Sequence, residues 1–158
     1  MDFKHVEEGE WRALCYAKKN SESIRAKALR VVELLDGVFS GGGDEGESGL
    51  EFRACDEPDV IAAFQSPVGG GRIRLEWAVI DGALVGVMVA DRGLANGISA
   101  AQWEPVWRLN VPEHENPYIM TGNGRFSVYT HVQSGASKVR ATVYEAGMSM
   151  LCAVVGRP

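Results

Sequence analysis

The sequence predicts an α+β fold: N-terminal helices packed on a curved, mainly antiparallel β-sheet of about six or seven strands. Three observations predict it. Apolar residues recur at helical spacing up to Phe39, the period shortens to two after Leu50, and Asp81-Gly82 splits a long apolar stretch as a hairpin turn does. The 158 residues suit a single domain, with a helical part over 5–39, a flexible acidic Gly-rich loop over 40–49 and a β-rich part over 50–156.

Within the helical part, Ile24, Ala28, Val31, Leu35 and Val38 recur at steps of four and three and fall on one face. Leu29, Val32 and Leu34 widen that face. A shorter first helix carries the stripe Trp11, Leu14 and Cys15. Lys18 and Lys19 suit its C-terminal end, and Asn20 or Ser21 caps the second helix. Asp36-Gly37 and the glycines at 41–43 end the helical part.

Alternation begins at Leu50, Phe52 and Ala54 and gives a strand. Asp56 to Gln65 reads as a short helix, because Asp56 can cap it and Pro58 is tolerated in a first turn. The hairpin about Asp81-Gly82 then sets a register: Trp77 faces Gly86, Leu75 faces Met88 and Arg72 faces Asp91. The stretch from Trp103 to Val111 is a strand in which Pro105 marks an edge or a start. Pro112 to Pro117 is a loop. Three more strands complete the chain: 125–132, 138–145 and 148–155, the last two turned at Ala146-Gly147. Pairing the first two across Gln133–Ala136 puts Phe126 opposite Val143 and Tyr129 opposite Arg140.

Composition excludes several functions. With 46% apolar and 23% charged residues, the chain has enough core and too little charge for wholesale disorder. A net charge of −5 disfavours nucleic acid and anionic membrane as partners. No stretch approaches the roughly 18 apolar residues of a membrane span, and residues 1–11 lack the pattern of a secretory leader. Cys15, Cys55 and Cys152 are an odd number without CxxC spacing, which predicts free, mostly buried thiols and a cytoplasmic protein.

Chemistry-bearing patterns are sparse. Residues 40–49 follow a helix, precede a strand and carry Asp44, Glu45 and Glu47, the reverse of a phosphate loop, so they read as a connector. The runs at 66–72 and 121–125 each end in Arg and read as turns that need positive φ. Glu113-His114-Glu115 is the one local cluster of ligand types; two-residue steps in a loop rarely build a metal site, and no metal or cofactor is expected. The polar sheet face gathers Glu76 and His131 as an acid–base pair, with Arg74, Tyr129, Arg140 and Tyr144 able to orient an anionic or aromatic ligand.

The segments 85–89 and 151–155 are apolar on both faces, which calls for cover on both faces. Either the helices or a second copy of the chain supplies it. On the second reading Val87 and Leu151 join Trp103 and Trp107 in an interface. The leading expectation is a non-catalytic protein-binding or regulatory module that is a homodimer and meets a protein partner. The alternative is a small-molecule binding protein or enzyme whose cupped sheet uses Glu76 and His131.

Overall fold

The computed structural model describes residues 5–40, 49–55, 57–94 and 102–156. The expected loop over 40–49 therefore lies almost wholly outside the described residues. Helices α1 (Glu8–Cys15) and α2 (Ala17–Ser40) come first. Seven strands follow: β1 (Glu51–Ala54), β2 (Val60–Ser66), β3 (Gly69–Ile80), β4 (Ala83–Leu94), β5 (Gln102–Pro112), β6 (Tyr118–Thr121) and β7 (Gly124–Ser127). A 3-10 turn at Val132–Ser134 leads into α3 (Ala136–Val155). The strands form one antiparallel sheet in sequence order, β1 to β7, that does not close into a barrel. The α+β class thus stands, with helices at both ends of the chain.

The stripe of α2 is buried as its spacing requires: Ile24, Ala28, Val31, Leu35 and Val38 all join the core. They pack against Ile73 and Leu75 of β3, Met88 of β4 and Leu109 of β5. The hairpin register also holds, with Trp77 opposite Gly86, Leu75 opposite Met88 and Arg72 opposite Asp91. A side chain at Gly86 would meet Ile24 of α2 at 2.5 Å, so this glycine gives α2 its closest approach to the sheet. Pro105 lies inside β5 rather than at its start. The ladder to β4 is irregular there, pairing Ala90 with Trp107 but Asp91 with Pro105, and the skipped Val106 makes a bulge.

Three expectations are corrected. Residues 138–145 and 148–155 are not strands but one helix, α3, whose buried residues are Val139, Val143, Ala146, Gly147, Met150, Leu151 and Val154. Those residues also step by three and four, so the segment carries a helical stripe under an alternating one. Gly147 is not a turn: a Cβ there would sit 2.2 Å from the ring of Phe39, so it lets α3 close on α2. Residues 57–65 are not a helix either. Asp59 takes a positive φ of 64°, the chain turns there, and β2 follows. Finally the thiols are not mostly buried: Cys15 and Cys152 are exposed and Cys55 is intermediate, because Cys152 lies on the outer side of α3.

Two of the hairpin turns share one construction. Ser66 donates its hydroxyl to the carbonyl of Gly69 at 2.6 Å and accepts from the amide of Val68 at 3.3 Å. Thr121 donates to the carbonyl of Gly124 at 2.8 Å and accepts from the amide of Asn123 at 3.3 Å. Gly69 and Gly124 have positive φ, so both glycine runs are turns of the expected kind.

Candidate functional site

Neighbours across a ladder share a face, and alternate residues along a strand share it too. That rule divides the sheet. Ile73, Leu75, Met88, Ala90, Leu109 and Val111 face the helices. The opposite face carries Arg72, Arg74 and Glu76 from β3, Val85, Val87, Val89 and Asp91 from β4, and Trp103, Arg108 and Asn110 from β5. Arg53 joins it from β1, and Tyr118 and Arg125 join it from β6 and β7. The α2 stripe packs on the other face, and at one edge Arg12, Ala13, Tyr16 and Asn20 of the N-terminal helices line a depression with Val85, Tyr118 and Arg125.

Its centre is a charge ladder above an apolar floor. Asp91 is only 1% exposed and accepts from Arg72 Nε at 2.9 Å, from Arg74 Nη2 at 2.9 Å and from Arg74 Nε. Arg74 Nη1 also donates to Glu76 at 2.5 Å, and Arg108 Nη1 reaches the other oxygen of Glu76 at 3.4 Å. Burial pushes the Asp91 carboxyl up, but the Arg74 and Arg72 hydrogen bonds outweigh it and hold the group below the usual carboxylate range. The hydrogen bond from Arg74 likewise holds Glu76 low, and the Asp91 bond holds the Arg74 guanidinium firmly protonated. Val85, Val87 and Val89 lie buried beneath these side chains.

Two arginines stack on aromatic rings of this face. Arg72 lies 4.6 Å from the ring centroid of Trp103, and Arg125 lies 4.2 Å from that of Tyr118. Both arginines follow the glycine turns described above. The turn chemistry thus fixes where each strand starts, and the strand start fixes where each guanidinium lies.

The structure separates the residues expected to form a ligand site. Arg74 and Glu76 belong to the ladder. Arg140 and Tyr144 lie on α3, since 138–145 is helix, and Tyr129 precedes the turn that leads into it. Tyr144 stacks on Phe39 at 5.6 Å, and the Lys138 ammonium lies 4.0 Å from the ring centroid of Tyr129. His131 lines an open depression of about 750 Å³ beside the 113–117 loop, with Lys27 and Arg125 and without Glu76. Of the four residues expected at an interface, Trp103 is 38% exposed, whereas Trp107, Val87 and Leu151 are buried within the chain. In the segment 85–89 the residues of β4 are buried within the chain, whereas in 151–155 Cys152 and Val155 are exposed. Among the described residues no group of three or more His, Cys, Asp and Glu side chains can hold a metal ion.

Sequence reasoning missed Lys27. Its ammonium donates to the carbonyls of Pro112, Glu113 and Glu115 at 2.7, 2.7 and 2.8 Å, clamping the β5–β6 loop onto α2. Burial lowers its pKa, against the pull of Glu113 and Glu115. Nothing in the local pattern signals a contact across 85 residues of chain. Lys27→Met is expected to lower stability by about 2 kcal/mol in urea unfolding, because it leaves charge-assisted acceptors without their donor. An unchanged midpoint would show that water replaces the clamp.

The chain matches no family model, no curated protein and no solved structure. The site's chemistry therefore stands on its own geometry. No described helix is long and apolar enough to cross a membrane.

Proposed function

We propose that this protein is a non-catalytic binding module that presents the open face of its sheet to a protein partner rich in acidic side chains. One observation carries the reading: the sheet face opposite the α2 stripe concentrates arginine on an acidic chain. Arg53, Arg72, Arg74 and Arg108 outnumber Glu51, Glu76 and Asp91 there, and Arg125 at the edge pairs with Glu115 at 3.3 Å, although the whole chain has a net charge of −5. Trp, Tyr and Arg are also the residues that dominate binding energy at interfaces, and Arg72 and Arg125 stack on Trp103 and Tyr118. A pre-ordered guanidinium loses less entropy on meeting a carboxylate.

The acid–base alternative has less support. Glu76 is engaged by two arginines and held ionised, which makes it a weak base and no acid at neutral pH. His131 stands apart from it.

Affinity capture on the immobilised protein tests the reading, with a Trp103→Ala/Arg108→Glu variant as the comparison. Both residues are exposed, so the fold should survive the change. A discrete acidic protein should be retained by the wild type, released by salt and lost from the variant. Equal retention by both proteins, or retention of nucleic acid alone, would contradict it.

A further inference from the structure

We infer that α1 is a self-association seam, where a second copy of this chain packs antiparallel against it. This inference rests on a different surface from the open sheet face and is independent of the reading above. The two N-terminal helices keep one helical phase across the turn at Tyr16, whose amide donates to Arg12 O at 3.3 Å and whose carbonyl accepts from the Asn20 amide at 3.0 Å. The inward stripe runs Gly9, Ala13, Ala17, Asn20, Ile24. In its first two turns it holds only the smallest side chains, and Gly9 sits against Gly82 at the β3–β4 turn.

The large apolar side chains of α1 are on the other side. Trp11 is 62% exposed and Leu14 is 53% exposed, with the exposed Cys15 beside them. An amphipathic helix ordinarily buries its bulky face, so α1 sits inside out for a lone chain.

The spacing of that outer stripe says what covers it. Glu7, Trp11, Leu14 and Lys18 step by four, three and four, all of them exposed, which is the spacing of coiled-coil seam positions, here two apolar residues flanked by opposite charges. The stripe is also symmetric about its midpoint, between Trp11 and Leu14. A reversed copy therefore brings Trp11 against the partner's Leu14, and Glu7 against the partner's Lys18. On the flanks Glu10 lies toward one end and Lys19 toward the other, while Glu8 pairs with Arg12 of the same helix at 2.8 Å. Parallel pairing would set like charges together at both ends. A self-complementary patch of this kind fits a two-fold axis.

Sedimentation velocity across a concentration series tests the seam, with helicity followed by circular dichroism. The wild type should rise from the 17.1 kDa of one chain toward twice that mass. Leu14→Glu should weaken association at least about tenfold. Lys18→Glu should weaken it as well, and Glu7→Lys combined with Lys18→Glu should restore it. A wild type that stays at one-chain mass overturns the inference, and so does a dimer indifferent to Leu14→Glu. Failure of the combined reversal to restore a dimer, with helicity intact, overturns the antiparallel arrangement.

Discussion

Replacing Asp91 with Ala is expected to destabilise the protein by about 3 kcal/mol, the low end of what breaking a buried ion pair costs. The carboxylate is almost fully buried and accepts from two arginines, so its loss takes from Arg72 its carboxylate partner in the ladder and leaves Arg74 with Glu76. Those side chains are 25% and 23% exposed, and partial hydration tempers the cost. The sign of the pH dependence follows. The folded pKa of Asp91 is depressed, so its contribution is full above the unfolded value of about 3.9 and is lost as pH falls through the folded value. Urea unfolding midpoints of wild type and Asp91→Ala should therefore differ at pH 7 and converge as the pH drops below about 4. A constant gap across that range would mean that Asp91 contributes packing rather than charge.

Gly71→Ala is expected to cost about 3 kcal/mol, at the upper end of overpacking penalties. An added Cβ would lie 2.1 Å from the backbone oxygen of Asp91 and 2.5 Å from the buried ring of Phe64. The first neighbour belongs to the ladder of β4 and cannot rotate away. The substitution therefore pries β3 from β4 where Asp91 enters the charge ladder. Thermal unfolding should show a drop of several degrees, and the Arg72–Trp103 stack should loosen with it. A wild-type melting temperature would mean that the strands separate there at little cost.

These positions also mark where the sequence was legible. The α2 stripe was legible because a face of Ile24, Val31 and Leu35 has one burial solution. The β3–β4 register was legible because Asp81-Gly82 fixes it locally, with Asp81 at φ 51° and Gly82 at φ 76°. Gly71 was not, since its reason is a neighbour twenty residues on; the sequence marks only a glycine run. Nor was α3. Its Val139, Thr142 and Val143 favour extended backbone, and only packing on Phe39 and Leu35 across Gly147 selects the helix. Val60 to Ser66 failed in the opposite direction, where a cap at Asp56 and Pro58 in a first turn suggested helix and pairing with β1 and β3 made strand.

The candidate site was half legible for the same reason. Arg72, Arg74 and Glu76 were placed together because they lie on one strand. Asp91 was placed opposite Arg72 by the hairpin. Tyr129, Arg140 and His131 were drawn onto that face by strands the chain does not form. Arg108 and Trp103 reach it only through the β4–β5 ladder and its bulge at Val106, which no local signal announces. The doubly apolar β4 called for cover by the helices or by a second copy; Val85, Val87 and Val89 are buried within the chain beside the ladder side chains.

On the proposed function, the open face of the sheet meets a protein. The most direct test is a photo-crosslinking amino acid at position 108 of the otherwise intact chain, compared with one at the exposed Arg25 on α2. The account predicts a discrete protein adduct from position 108 that weakens with salt and is absent from position 25. Adducts of equal yield from both positions, or none from 108, would contradict it.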